Sequence, residues 1–143
     1  MTVDWPTHAL DGLRAAGLRS GGARRAVVEF LDRQDCCVSA QDVHEGVRSG
    51  GGRVGIASVY RALDTLADHR LVQRVDVGDG IARYEPVRPS GDHHHHLVCD
   101  DCGRVEPFSD AALELALVGA ADRLGTSLEA HDVVLHGACS GCR

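Results

Sequence analysis

Residues 55–86 read GIASVYRALDTLADHRLVQRVDVGDGIARYEP, and this stretch decides the fold of the first part of the chain. Gly55 to Ser58 open a helix that carries Val59, Leu63 and Leu66 on one face and ends near His69. Two short alternating segments follow, at 71–77 and 81–86. Gly78, Asp79 and Gly80 lie between them and signal a β-hairpin. Upstream, residues 8–16 place Leu10 and Leu13, with Leu18 beyond, near helical spacing. Residues 21–33 carry the apolar stripe Val27, Val28, Phe30 and Leu31. Ser39 to Asp42 come close to a capping box and open a helix that runs to about Arg48 and stops at Ser49-Gly50-Gly51-Gly52. Three helices and a β-hairpin in that order make a winged helix-turn-helix, whose last helix, here 56–69, enters the major groove. Arg19, Arg24 and Arg25 cluster at the start of the second helix, and Arg53 and Arg61 flank the start of the reading helix. Arginine suits both phosphate and bidentate guanine contacts. The same pattern also fits a small α+β domain with no nucleic-acid partner, since the region is not basic.

The chain has 143 residues, enough for one ordinary domain or two small ones. With 43% hydrophobic residues it can bury a core. No run of eighteen apolar residues exists, and the N-terminus lacks a signal-peptide pattern, so a cytoplasmic protein with no membrane partner is expected. The net charge of −6 excludes a generally basic nucleic-acid coat protein but not a local basic surface. All 15 basic residues are arginine. Composition shifts along the chain: residues 1–87 are nearly neutral, whereas 88–143 hold 4 Arg against 9 acidic residues. Residues 86–92, PVRPSGD, read as a hinge. The expected division is therefore 1–87, a hinge at 88–92, and a second domain at 93–143.

Four of the six cysteines form two matched pairs, Cys99-x-x-Cys102 and Cys139-x-x-Cys142. Disulfides are disfavoured in a cytoplasmic protein, and two CxxC pairs supply the four thiolates of a closed structural Zn2+ site. A redox CxxC usually needs only one such motif, at a helix N-terminus. His93-His94-His95-His96 run directly into Leu97 and Val98. On a strand, alternation sends His93 and His95 to one face and His94 and His96 to the other, so one run feeds two sites. A solvated loop of four histidines is the alternative. Further donors are few. Glu114 lies in a helix at 110–124, His131 in the last strand, Glu85 in the hairpin, and Cys36 and Cys37 between two helices. His8, His44, His69 and His136 have no comparable setting.

The order of GIASVYRAL (55–63), HHHHLVCDDCG (93–103) and CSGC (139–142) resembles the ferric uptake regulator superfamily of metal-responsive repressors over nearly the full chain. The resemblance implies an α+β fold: an N-terminal winged helix-turn-helix DNA-binding domain followed by a C-terminal α/β dimerisation domain. It implies a homodimer that binds a palindromic double-stranded operator and represses metal-uptake, metal-handling or peroxide-defence genes. It assigns Cys99, Cys102, Cys139 and Cys142 to structural zinc. His94, His96 and Glu85 match the sensory metal site, and His93, His95, Glu114 and His131 match a second site. Arg24, Ser58, Tyr60 and Arg61 match DNA-binding positions. Two departures stand out. The family often has Thr at the start of the second helix, where this chain has Gly21 with Ser20 beside it. Iron and peroxide sensors commonly carry His where this chain has Cys37, which makes Cys37 the expected fourth sensory ligand. A thiolate favours Zn2+ over Fe2+. Zinc sensors of the family, however, commonly place a cysteine just ahead of the histidine run, where this chain has none.

The expected function is a metal-dependent, sequence-specific repressor that senses zinc and controls metal uptake genes, of the zinc uptake regulator branch. An iron-responsive repressor is the alternative, with a peroxide or thiol redox sensor of the same family behind it. From another class, a zinc-binding thiol oxidoreductase would leave both CxxC pairs unused as one zinc site. A zinc hydrolase lacks a motif such as HExxH to place a base beside metal-bound water. No enzyme activity and no small-molecule substrate are expected. The regulatory metal is Zn2+ or Fe2+.

Overall fold

The computed structural model describes residues 3–19 and 21–143, in two compact units, 1–92 and 93–143. The first unit runs α1 (Trp5–Ala15), α2 (Gly22–Asp32), β1 (Val38–Ser39), α3 (Ala40–Ser49), α4 (Ile56–Asp68), β2 (Val72–Asp76) and β3 (Ala82–Pro86). Each helix buries the stripe that its sequence spaces at three and four residues. Leu13, Val27, Val28, Leu31, Val43, Val59, Leu63 and Leu66 form one apolar core. Trp5 of α1 is buried in it, and its indole N–H donates to the Leu71 carbonyl at 3.1 Å, which ties α1 to the junction of α4 and β2.

Local chemistry sets the helix starts. The Asp4 carboxylate accepts from the Thr7 N–H at 3.3 Å to begin α1. Ser39 and Asp42 make a complete capping box for α3, each side chain bonded to the other's backbone N–H at 3.1 Å. α2 starts at Gly21 without a side-chain cap, and Ser20, the expected substitute, lies outside the described residues. Gly46 is where α3 meets α2. A Cβ there would stand 1.9 Å from the Phe30 ring, so only glycine permits this approach.

β1, β3 and β2 form an antiparallel sheet in that order, with Gln73 paired to Glu85 and Arg74 to Tyr84. Tyr84 faces the helical core. Its neighbour Glu85 therefore faces the other side of the sheet. Helices followed by this winged hairpin give the winged helix-turn-helix.

The second unit runs β4 (His95–Cys99), β5 (Val105–Phe108), α5 (Ala111–Arg123) and β6 (Val134–Gly137). Its sheet has the order β5-β4-β6, with β4 antiparallel to β5 and parallel to β6. A parallel pair needs a crossover, and α5 supplies it. Asp110 caps α5 by accepting from the Leu113 N–H at 2.9 Å. Among its described residues α5 buries only Ala121, while Leu115 and Val118 stay exposed. β5 holds Pro107, which a strand tolerates because β5 lies at the sheet edge. His131, expected within the last strand, lies instead in the irregular segment before β6. No helix among the described residues is long and apolar enough to cross a membrane.

Candidate metal centres and nucleic-acid interface

The two CxxC pairs meet in the second unit. Cys99 ends β4, Cys102 lies in the turn to β5, and Cys139 and Cys142 follow β6. The parallel β4–β6 pairing sets Cys99 opposite Gly137, which carries the second pair to the first. Gly103 closes the β4–β5 turn at φ 76°, a conformation that favours glycine, and its N–H reaches the Cys99 carbonyl at 2.8 Å. All four sulfurs lie within 4.8 Å of one another, and Cys102 and Cys139 are 3.9 Å apart. Sulfurs bound tetrahedrally to zinc stand about 3.8 Å apart, so the spacing fits that ion. The Cys139 N–H donates to the Cys99 sulfur at 3.2 Å. This bond, with another from the Cys102 N–H, favours the thiolate and brings the Cys99 thiol down to about 6. Cys142, hydrogen-bonded chiefly to Cys139, is pushed up to about 12. Four thiolates crowd one spot only if a cation compensates them, a charge that a zinc ion would supply.

His93, His95, Glu114 and His131 form a second donor group in the same unit. Glu114, on α5, reaches across to the histidine run and to the segment before β6. Its Oε1 lies 2.5 Å from His95 Nε2, and its Oε2 lies 2.6 Å from His131 Nε2. His93 Nε2 is 3.2 Å from His131 Nε2 and 3.3 Å from Glu114 Oε2. Nitrogen and oxygen donors on a tetrahedral zinc ion stand about 3.3 Å apart, so the group needs only small adjustment to take one. The hydrogen bond from His95, followed by that from His131, holds the Glu114 carboxyl below its ordinary range.

The remaining expected donors are distributed between the units, two in each. His94 and His96 offer ring nitrogens within 4.8 Å, their rings edge to face at 5.0 Å, and His96 is fully buried. In the first unit Glu85 is 2% exposed. The cysteine that shares a donor group with its carboxylate is Cys36, with the Cys36 sulfur and a Glu85 oxygen within 4.8 Å. The sequence reading expects Cys37 in this group, whereas the cysteine sulfur grouped with Glu85 is that of Cys36. Cys37 sits one residue before β1 with its sulfur 3.9 Å from that of Cys36 and its side chain buried. That hydrogen bond and burial push the Cys37 thiol up, and Cys36 is half-buried. Nothing in the bare order Cys-Cys separates the two. Sequence reasoning also missed Gln73, whose amide Nε2 donates to Glu85 Oε1. Strand pairing of 71–77 with 81–86 was the available signal for it.

The DNA-reading candidates lie on α2 and α4 of the first unit. Tyr60 is 48% exposed on α4, and Arg61 beside it donates to the Ser58 hydroxyl at 3.1 Å. Arg24 of α2 bonds the Arg19 carbonyl. Arg19, Arg24, Ser58 and Arg61 line one groove of about 510 Å³ between the start of α2 and α4.

A winged helix joined to a unit built around metal donors defines a metal-responsive DNA-binding regulator. The chain belongs to the ferric uptake regulator family, whose sequence model matches residues 15–136. It is 36% identical over 129 residues to the ferric uptake regulation protein of Klebsiella pneumoniae, covering 90% of this chain and 82% of that one. It is also 36% identical over 131 residues to the zinc uptake regulation protein of Mycobacterium tuberculosis, covering 92% and 99%. The crystal structure of the Vibrio cholerae ferric uptake regulator matches with a TM-score of 0.80 at 32% identity, covering 91% of this chain and 98% of that one. The chain is thus a metal-responsive transcriptional regulator.

Proposed function

We propose that this regulator is a repressor that senses zinc, with Cys36, Glu85, His94 and His96 holding the regulatory ion. The observation that carries this reading is the thiol: the donor group around Glu85 contains a cysteine sulfur, and a thiolate selects Zn2+ over harder ions. One cysteine, two histidines and one carboxylate suit a four-coordinate zinc ion. Cys99, Cys102, Cys139 and Cys142 hold a separate structural zinc, and His93, His95, Glu114 and His131 hold a further ion. An iron-responsive repressor is the second reading. Its support is the Glu85 carboxylate and the equal 36% identity to ferric and zinc uptake regulation proteins.

The switch follows from where the regulatory ligands sit. Cys36 and Glu85 belong to the first unit, and His94 and His96 to the second, so one ion bound by all four joins the units. Metal thereby favours one arrangement of the reading helices in a homodimer, and that arrangement binds a palindromic operator. A shift of that arrangement from 1:99 to 99:1 requires about 5.5 kcal/mol of differential metal affinity. By reciprocity, operator DNA tightens metal binding by the same factor. Tyr60 and Arg61 read the major groove, and Arg24 and Ser58 support them. The dimer forms through the second unit, and the protein acts in the cytoplasm on double-stranded DNA.

The test is metal content and competition titration of the reduced protein with Zn2+ and Fe2+. The zinc reading expects about one zinc per chain to survive chelation. It expects a second zinc to bind far more tightly than iron in a Cys36-dependent way. Equal affinity in wild type and Cys36→Ser, with iron preferred, would move the iron reading to first place.

A further inference from the structure

Glu85 is buried, yet one of its two oxygens is already taken. Gln73 stands directly opposite it in the β2–β3 ladder, and the Gln73 amide Nε2 donates to Glu85 Oε1. That bond spans neighbouring strands, so the sheet itself fixes it. The amide is neutral and cannot compete for a cation as a second carboxylate would. The bond has a stereochemical consequence for any ion that Glu85 binds. A carboxylate with both oxygens available can chelate and raise the coordination number to five or six. A hydrogen bond to one oxygen draws on its lone pairs and fixes the plane of the group, so such a carboxylate offers the other oxygen more readily.

We propose that Gln73 is a positioning residue that sets the metal selectivity of the regulatory site. It holds Glu85 in one-oxygen coordination and so favours four-coordinate zinc over ions that prefer more oxygen donors. The inference rests on the reading that Glu85 is a regulatory ligand. Four-coordinate geometry with sulfur and nitrogen donors is the preference of Zn2+, whereas Mn2+ prefers an octahedral, oxygen-rich shell. Donors that orient a ligating carboxylate typically change metal affinity 10- to 100-fold when removed. The role is selective, because loss of the Gln73 amide weakens zinc while freeing an oxygen for the harder ion.

The test uses full-length protein that retains its structural zinc, in a His131→Ala background that removes the other histidine–carboxylate group from the titration. Zn2+ and Mn2+ affinities are measured by competition, and Co2+ is added as a spectroscopic probe of geometry. Gln73→Met keeps the size of an exposed side chain and deletes the donor. The expected result is a roughly ten-fold or greater fall in the ratio of zinc to manganese affinity. The Co2+ visible bands should weaken as the ion goes from four- to five-coordinate. Gln73→Glu should lower the ratio too, by adding an oxygen donor. If Gln73→Met leaves ratio and spectrum unchanged while Glu85→Gln alters both, the role of Gln73 is refuted and the site stands. If Glu85→Gln also changes nothing, Glu85 is no ligand, and the site reading falls together with the inference.

Discussion

His95 and His96 are consecutive on β4, yet they join different donor groups. His95 Nε2 lies 2.5 Å from Glu114 Oε1, while the His96 ring packs edge to face on His94 at 5.0 Å. The cause is strand geometry: successive side chains leave opposite faces. A run of four histidines therefore contributes to two donor groups with no spacer. An insertion of one residue between His96 and Leu97 would turn all four to the opposite faces, so register matters as much as composition.

The cysteine cluster gives the first prediction. Cys99→Ser removes the buried member of the four and should release the structural zinc. Elemental analysis should find about one zinc fewer per chain, and the melting temperature should fall, because ion binding and folding of such sites are coupled. A variant that keeps full zinc content would contradict the assignment.

The second prediction separates the vicinal cysteines. Cys36→Ser should weaken regulatory zinc binding by at least the roughly ten-fold that loss of an outer-shell partner costs, since it removes a ligand itself. Cys37→Ser should bind zinc nearly as the wild type does, with its main effect on stability, since its side chain packs in the interior. A competition titration that ranks the two the other way would restore Cys37 as the ligand.

The third concerns pH. Hydrogen bonds from His95 and then His131 hold the Glu114 carboxyl below its ordinary 4.5 in the folded chain. As acid is added, the unfolded chain takes up this proton first. The stability linked to Glu114 is therefore fully present above the ordinary value and is lost as pH falls through the lowered folded one. Without metal in this group, the wild type should lose more stability in that acid range than Glu114→Gln does. Thermal melts of the two across that range check the sign, and parallel curves would count against the linkage.

The fourth tests the reading helix. Arg61→Ala should reduce operator affinity about 5- to 150-fold, the range for one specific base contact. Tyr60→Ala should also reduce it. Neither should alter metal binding without DNA, since both side chains are exposed on α4. Unchanged operator affinity would mean that another helix reads the DNA.

What the sequence discloses and what it conceals divide along physical lines. The capping box of Ser39 and Asp42 and the Gly78-Asp79-Gly80 turn are local, so neighbouring residue types are enough to find them. The four cysteines are legible for a different reason, since spacing alone encodes a chelate. β1 is only two residues long, and β5 contains Pro107, so neither shows an alternation to read. The position of His131 before β6 depends on where the parallel pairing with β4 begins, which is a long-range matter. The grouping of Cys36 with Glu85 joins residues far apart in sequence, which the bare order Cys-Cys does not encode. The contact between Gln73 and Glu85 needs the exact strand register, one step beyond recognising a hairpin. Leu115 and Val118 of α5 are exposed in the single chain.

The most direct measurement is operator binding by fluorescence anisotropy as a function of free zinc, with wild type beside His94→Ala. The DNA is a fragment selected by the wild-type protein in the presence of zinc. The account predicts that zinc tightens wild-type binding by at least ten-fold. It predicts that His94→Ala, folded and with its structural zinc intact, binds weakly at every zinc concentration. A variant that responds to zinc as the wild type does would contradict the claim that these ligands form the sensor.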